Sequence, residues 1–438
     1  MKTEILVLKY GKCSWSRCIF CGYGKIMGKR ADAKNIIFDF EKFFENLDDD
    51  VEQVKVFGSG SFLDEKQIPK DARNYFFSEC KKRNINLIIE SRPEFINENI
   101  DFFNLNFTIA FGLESADDRI LDKIKKGFRL KDFERAKKII RSKGGGVRTY
   151  LLVNLPFPSY TRKYCERKRS IYENNLSASV DYAVKHSDSV VLINLLPHGN
   201  TEVFRLWLSG EWNFLTKKEF EKITSEFKNN RKIEFDAETF RFVPKFPDEL
   251  KKNLAGVGEE FLTHPHFDVW QDYLCRWFEA KQDVVLFLPC SHKKPYSESS
   301  THRNIVVILD KLNLYKKIHQ VMLSNAGVVP REFEHYYPFA DYDWDEKLET
   351  PEIKARYIEV TKNRIKKYVG SKNYKKIYCF LKYDSESYIA LDSACRELNL
   401  NLENLLTRKT YGKIKEEKRV LRGEEALNDL EEGLKKLI

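Results

Sequence analysis

Three cysteines fall within nine residues, Cys13-Ser-Trp-Ser-Arg-Cys18-Ile-Phe-Cys21. Thiolates at this spacing on one loop can hold one metal centre. A closed structural zinc site takes four ligands, usually from two paired knuckles, and no second Cys-x-x-Cys occurs in the chain. Three cysteines without a fourth ligand suit a [4Fe–4S] cluster that leaves one iron open to a small molecule. Zinc, or three unrelated buried thiols, are the competing readings. A second stretch, Leu288-Pro-Cys-Ser-His-Lys-Lys-Pro-Tyr-Ser-Glu-Ser-Ser-Thr-His302, puts one cysteine, two lysines, a tyrosine, two histidines and four serines into one loop. Polar groups between a strand end and a helix start make an anion or substrate site, with Cys290, Lys294 and His302 as candidate catalytic residues. Cys290 is either a nucleophile whose pKa is lowered by the lysines and the helix start, or a thiol buried under a polar loop. Lys294 and Arg331 carry the charge to grip a phosphate or carboxylate; the alternative for both is plain surface charge.

Three further segments punctuate the first half. Phe57-Gly-Ser-Gly-Ser-Phe-Leu-Asp64 is a small-residue turn in which Gly58, Ser59, Gly60 and Ser61 let the backbone approach a ligand closely. In Ile89-Glu-Ser-Arg-Pro-Glu94, Ser91 and Arg92 either face a ligand or start a helix. In Phe111-Gly-Leu-Glu-Ser-Ala-Asp117, Glu114 is a ligand-facing acid or a helix N-terminal acid that complements the dipole.

The elements that must position these residues alternate. Apolar runs near 4–9, 53–57, 86–90, 106–112, 147–154 and 188–195 read as strands, and amphipathic stretches such as 38–47, 70–82 and 130–142 read as helices. Six strand–helix units imply a parallel α/β sheet closing part of a (β/α) barrel. The cysteine loop then sits at the carboxyl end of its strand, where such barrels place their chemistry. From 245 to 282 the pattern breaks into turn-rich segments. A second, smaller α/β region with a parallel sheet follows, with strands at 284–288, 320–324 and 376–381 and helices at 299–314, 354–369 and 385–398. The last thirty residues read as a solvated charged helix or tail.

Composition sets the outer limits. The chain has 438 residues, 42% hydrophobic and 32% charged, enough for two or three cored domains and unlike a disordered chain. Its apolar runs fall far short of the roughly 18 residues of a membrane span, and the first residues lack a signal-peptide core. A soluble, cytoplasmic protein without a membrane partner is expected. Nine cysteines, an odd number, argue against a disulfide framework. A net charge of +10 is compatible with a phosphate-backbone partner.

These residues carry a resemblance. The cysteine loop resembles that of the radical S-adenosylmethionine (SAM) superfamily, with four residues instead of the usual three between the first two cysteines and an aromatic, Phe20, before the last. The resemblance implies a partial (β/α)6 barrel, with Cys13, Cys18 and Cys21 ligating a [4Fe–4S] cluster. It also implies that Gly58, Ser59, Gly60, Ser61, Ser91, Arg92, Glu114 and Asn154 surround SAM. Over roughly residues 1–240 the chain resembles one branch, the archaeosine synthase radical SAM lyases, through Gly11-x-Cys-Ser-Trp15, Cys21-Gly-Tyr23, Gly58–Asp64, Glu90–Glu94 and Gly112–Ser115. Tyr150-Leu-Leu-Val-Asn-Leu-Pro156 and Asn194 extend the likeness, with Asn154 where a lysine is expected. The implied substrate is the lysine adduct of 7-cyano-7-deazaguanine in the D-arm of tRNA. The implied reaction is reductive cleavage of SAM, hydrogen abstraction from the lysyl moiety by the 5′-deoxyadenosyl radical, and C–N cleavage that leaves archaeosine.

Pro289–His302 and Gly327-Val-Val-Pro-Arg-Glu332 resemble the core of archaeosine synthase lysine transferases, relatives of the tRNA-guanine transglycosylases, over roughly residues 282–410. The other domains of those transferases, including the PUA RNA-binding domain, have no counterpart here. The implied organisation is a radical SAM core at 1–245, a helical, turn-rich linker at 246–281, an archaeosine-synthase-like domain at 282–410 and a charged helical tail at 411–438. That second domain would transfer lysine, or recruit tRNA or a lysine-transferase subunit. The rival readings are another radical SAM RNA-modifying enzyme and a zinc-stabilised RNA-binding protein.

Overall fold

The computed structural model describes residues 2–102, 104–156, 166–237 and 242–437; Cys165 lies outside them. The chain divides into two compact units, Met1–Phe242 and Val243–Ile438.

The first unit is built on strands β1 (Thr3–Val7), β2 (Gln53–Phe57), β3 (Asn86–Glu90), β4 (Phe107–Glu114), β5 (Gly146–Val153), β6 (Ser189–Asn194) and β7 (Ile233–Asp236). They form one sheet in strict chain order, every neighbouring pair parallel. Sequential parallel strands need a crossover after each strand, the winding of a barrel and not of a doubly wound sheet. This is the expected partial α/β barrel, extended by β7, a four-residue strand with only Ile233 buried and so too weak a signal to read. The inner strands carry near-continuous apolar runs: Ile109, Phe111 and Leu113 in β4 and Val147, Leu151 and Val153 in β5 are all fully buried.

Helices cover the sheet with faces that the sequence spaces at three and four. Ala33–Glu45 buries Ile36, Phe40 and Phe44 behind an Asp32 cap. Leu130–Ser142 buries Phe133, Ala136 and Ile140 and starts with Asp132 accepting from the Arg129 N–H at 2.9 Å. Phe40, Phe44, Phe62, Phe76, Phe77 and Phe102 form a chain of ring contacts at 4.7–5.7 Å beneath β2 to β4.

The second unit contains β8 (Leu254–Ala255), β9 (Val284–Pro289), β10 (His319–Ser324), β11 (Gly327–Pro330), β12 (Tyr342–Asp343), β13 (Lys376–Cys379) and β14 (Leu402–Asn404). Its main sheet runs β11-β10-β9-β13-β14. Four strands are parallel as expected, and β11 turns back antiparallel on β10, making the sheet mixed. The stretch expected as a linker is core: helix Pro265–Arg276 buries Trp270, which packs on Phe333 and Phe339 at 5.2 and 5.0 Å. The tail also differs from expectation. Helix Glu424–Lys435 buries Ala426, Leu430 and Leu434, an i, i+4, i+8 stripe that its many charges mask in composition. No helix among the described residues is long and apolar enough to cross a membrane.

Candidate functional site

Because β1 to β4 are parallel, the loops that leave their carboxyl ends share one rim of the sheet. The cysteine loop is closed at its neck by a bridge between Tyr10 and Lys29, with the Gly11 N–H donating to Lys29 (2.8 Å) and the Lys29 N–H to Lys9 (2.7 Å). Within it the Ser16 N–H donates to Cys13 Sγ at 3.5 Å and the Gly24 N–H to Cys21 Sγ at 3.3 Å. Cys18 is buried; Cys13 and Cys21 are half-buried. Burial raises the Cys18 thiol pKa, against the opposing pull of the Lys126 and Arg92 charges. Burial likewise pushes Cys21 to about 11, opposed by the Gly24 N–H.

The other expected residues converge on the same rim. Gly60 lies so close to the cysteine loop that a Cβ there would meet Cys13 Cα at 3.0 Å and Gln67 Oε1 at 2.3 Å. Ser61 Oγ and Ser91 Oγ share a hydrogen bond of 2.7 Å, joining the turn after β2 to the loop after β3. Gln67 secures the turn, accepting from the Ser61 N–H (2.7 Å) and donating to Ser59 Oγ (3.2 Å). Gly58, Ser59, Gly60 and Ser61 line one narrow pocket together with Glu90. Arg92 is buried, donates to the Lys126 carbonyl at 2.9 Å and to Glu94, and stacks on Trp15 and Phe128.

Glu114 ends β4 in the left-handed region, φ +69°, where the β4–β5 register shifts. A bulky residue there costs on the order of 1–3 kcal/mol and persists only where its surroundings impose it. Here the imposing partner is Lys126, whose Nζ donates to Glu114 Oε1 at 2.7 Å with both side chains under 10% exposed. Burial pulls the Lys126 pKa down, but Glu114 and Cys18 together outweigh it and leave the ammonium above its ordinary value. Lys126 also lies 5.5 Å from the Phe20 ring. Gly127, at φ +80°, lets Trp15 pack where any Cβ would meet the indole at 2.3 Å, and the Trp15 N–H donates to the Lys125 carbonyl (2.7 Å).

Asn154 lies at the carboxyl end of the next parallel strand, and its side chain reaches a neighbouring segment. It follows β5 at φ +72°, donates to the Asn213 carbonyl (2.9 Å) and accepts from the Trp212 N–H at its own carbonyl (2.9 Å). Asn194 donates to the Leu215 carbonyl (2.9 Å), so the two asparagines hold the 212–215 segment. Two residues absent from the expected set belong to the rim. Lys126 is legible in sequence only as part of Lys125-Lys-Gly127. Glu90 lies in Glu-Ser-Arg-Pro-Glu; burial raises its pKa to about 7, with the Gly58 N–H and Lys126 opposing the rise and Glu114 adding to it.

The donor set fits an iron–sulfur centre. Backbone N–H groups aimed at Cys13 and Cys21 stabilise negative sulfur, and Lys126 and Arg92 place positive charge near Cys18. Among the described residues no three His, Cys, Asp or Glu side chains gather as the ligand set of a single ion.

In the second unit, Cys290 and Lys294 line a cleft of about 1840 Å³ with Tyr342, Trp344, Tyr357 and Lys382. Three expectations about this unit are corrected. His302 does not reach the cleft: it is fully buried, its Nε2 donates to the Pro289 carbonyl (2.9 Å) and its Nδ1 accepts from Arg331 Nη2 (2.9 Å). A carbonyl only accepts and a guanidinium only donates, so the imidazole is neutral; burial first, and Arg331 second, drop its pKa to about 3. Arg331 is not a free anion grip, since Gln320 (3.0 Å), Glu334 (3.0 Å) and His302 occupy its donors. The Cys290 thiol is also not lowered: burial pushes it to about 11 and Glu346 adds to the rise, against Lys294. Lys294 lies 4.0 Å over the Tyr342 ring, its pKa lowered by burial.

Residues 268–416 match a family described as a domain of unknown function, DUF5591. The chain is 29% identical over 231 residues to archaeosine synthase subunit beta of Methanosarcina acetivorans, covering 48% of this chain and 62% of that one. It is 32% identical over 148 residues to archaeosine synthase subunit alpha of Thermoplasma acidophilum, covering 33% of this chain and 27% of that one. The chain is similar to both subunits of archaeosine synthase. It spans less than two thirds of the length of either relative. Among solved structures, queuine lyase from Clostridium spiroforme aligns over 53% of this chain and 90% of its own, at 18% identity and a TM-score of 0.38. The match of 268–416 contains the His302–Arg331 network and every lining residue of the Cys290 cleft but Leu421.

Proposed function

We propose that the chain is a tRNA-modifying radical SAM lyase of archaeosine formation, acting on the lysine adduct of 7-cyano-7-deazaguanine. The observation that carries this reading is the single rim on which four successive parallel strands deliver Cys13–Cys21, Gly58–Ser61, Ser91–Arg92 and the Glu114–Lys126 pair. Similarity to both archaeosine synthase subunits supports the substrate class. Cys13, Cys18 and Cys21 would hold a [4Fe–4S] cluster, and the Gly58–Ser61 turn with Ser91, Arg92 and Glu114 would hold SAM. Together these cofactors supply one-electron cleavage of a sulfonium and a carbon radical able to abstract hydrogen from the lysyl group.

The protein's own contribution is placement. The Gly58–Ser61 backbone admits a ligand to close contact because no side chain intervenes. The Ser61–Ser91 bond and the Arg92–Lys126 carbonyl bond tie three loops into one wall. Lys126 donates to Glu114 Oε1 and fixes that side chain in the buried floor of the site. Asn154 acts at one remove, fixing the 212–215 segment. The second unit supplies a cleft of mixed charge around Cys290 and Lys294, suited to lysine transfer or to recruiting tRNA or a transferase subunit.

The test is anaerobic reconstitution with iron and sulfide, reduction in the presence of SAM, and measurement of 5′-deoxyadenosine beside a Cys18→Ala control. Nucleoside formed only with the cysteines intact, and archaeosine formed from lysine-adducted tRNA, is the expected result. A colourless protein that binds one zinc and leaves SAM whole overturns the reading.

A further inference from the structure

Two concave, cation-lined clefts flank the cysteine loop, one on each side of Ser16. The first, about 880 Å³, is lined by Lys12, Lys29, Arg30 and Lys66, with no carboxylate among the described residues of its wall. The second, about 840 Å³, is lined by Arg17, Lys25, Lys125 and Arg205; the acid in its wall, Glu202, is paired with Lys125 at 2.9 Å. Among the described residues Lys12, Lys25, Arg30 and Lys66 have no carboxylate partner, and Arg17 lies over the Trp15 ring at 5.2 Å. Cations left without acids in a concave wall concentrate negative potential from solution. The same loop exposes Tyr23, Ile26 and Met27, the last 73% exposed. Phosphate-binding cations beside exposed aromatic and apolar side chains are what a single-stranded or looped RNA needs, charge for its backbone and flat surface for its bases.

We propose that an RNA strand crosses the cysteine loop with a backbone phosphate in each cleft, so that the nucleotide between them is presented to the rim where β1 to β4 end. This rests on the proposed action on tRNA and deepens it, naming Arg30 and Lys66 as the grip on one side and Arg17 and Lys25 as the grip on the other. A site that only recognised a free nucleoside would need neither cleft; a bracket on both sides is the geometry for a nucleotide held within a chain.

The experiment measures binding of an unmodified tRNA transcript to the full chain between 50 and 200 mM salt. Arg30→Gln/Lys66→Gln, Arg17→Gln/Lys25→Gln and the four-fold variant are compared, with Lys131→Gln/Lys138→Gln on helix Leu130–Ser142 as a control of equal charge removal. Removing one phosphate-neutralising cation lowers the slope of log affinity against log salt by about 0.9 on a duplex and 0.7 on a single strand. Each double variant is therefore expected to lose between one and two units of slope, the four-fold variant the sum, and the control none. Charge-preserving Arg30→Lys/Lys66→Arg keeps the full slope, which separates charge from misfolding. If the wild-type chain shows no salt-dependent binding, the tRNA reading itself falls. If the wild type binds and either double variant keeps the full slope, the bracket is overturned while the tRNA reading stands.

Discussion

Glu114 and Lys126 in the first unit, where parallel strand β4 ends, and His302 and Arg331 in the second, between helix Ser300–Lys311 and the end of antiparallel β11, are buried polar pairs whose surroundings differ. Around Glu114 the backbone is forced into the left-handed region and the partner cation also faces Cys18 and Phe20, so the pair is coupled to the rim. Around Arg331 the donors are spent within the protein, on Gln320, Glu334 and His302, and the Ser297 N–H closes onto Glu334 at 3.0 Å. Strained backbone with charge aimed at a loop of cysteines is the pattern expected where the proposed cofactors bind. A saturated network marks a scaffold, here one that shapes the wall of the Cys290 cleft from behind.

The comparison is broken most severely by removing one ion of each pair. Lys126→Met strands the buried Glu114 carboxylate and is expected to cost about 3–5 kcal/mol, read by urea unfolding. Lys126→Met/Glu114→Leu, which removes both charges, recovers most of that stability but not 5′-deoxyadenosine formation. If the double variant regains activity, the pair is scaffold only, like its counterpart. Arg331→Met leaves the buried Glu334 without its guanidinium and Gln320 Oε1 without its donor, and a loss of about 3 kcal/mol is expected in the second unit. Reconstituted Arg331→Met is expected to keep its cysteine-dependent iron content, whereas a loss of iron would break the separation drawn between the two networks.

A pH titration sharpens the difference. His302 has an ordinary pKa of 6.5 and a folded value of about 3. A depressed folded value means that its contribution to stability is complete above 6.5 and is lost as pH falls through the window towards 3, because the unfolded chain takes up the proton first. Unfolding of the second unit is expected to steepen with acid across this window in the wild type and to flatten in His302→Gln. An unchanged acid slope in that variant would place the titrating group elsewhere.

How much of this is legible depends on the range of the interactions. The strand series and the cysteine loop follow from local periodicity and spacing, and β2, β3, β5 and β6 lie within one residue or so of the expected runs. The Gly58–Ser61 and Ser91–Arg92 segments are readable because small or paired polar residues at strand ends have few local explanations. Lys126 does not stand out, because its meaning depends on a partner twelve residues away and on burial that no local pattern encodes. The 246–281 stretch reads as a linker because its turns are local, whereas Trp270 finds Phe333 and Phe339 more than sixty residues on. His302 misleads for the same reason. A polar loop looks the same in sequence whether it faces solvent or closes on an arginine from β11's far end.

The smallest expected effect concerns Cys290, and it decides what its loop is for. A nucleophilic cysteine needs thiolate near neutral pH, and burial with Glu346 nearby moves this thiol to about 11, where the thiolate fraction at pH 7 is on the order of one in ten thousand. Alkylation by iodoacetamide at pH 7 is therefore expected to be far slower at Cys290 than at an ordinary exposed thiol, and to quicken about tenfold per pH unit up to pH 9. Cys290→Ser is expected to change stability by less than about 1 kcal/mol, since a small polar group replaces a small polarisable one at a half-buried position. Rapid labelling at pH 7 would mean that the bound or catalytic state lowers this pKa, and the loop after β9 would then be a reacting site and not a binding wall.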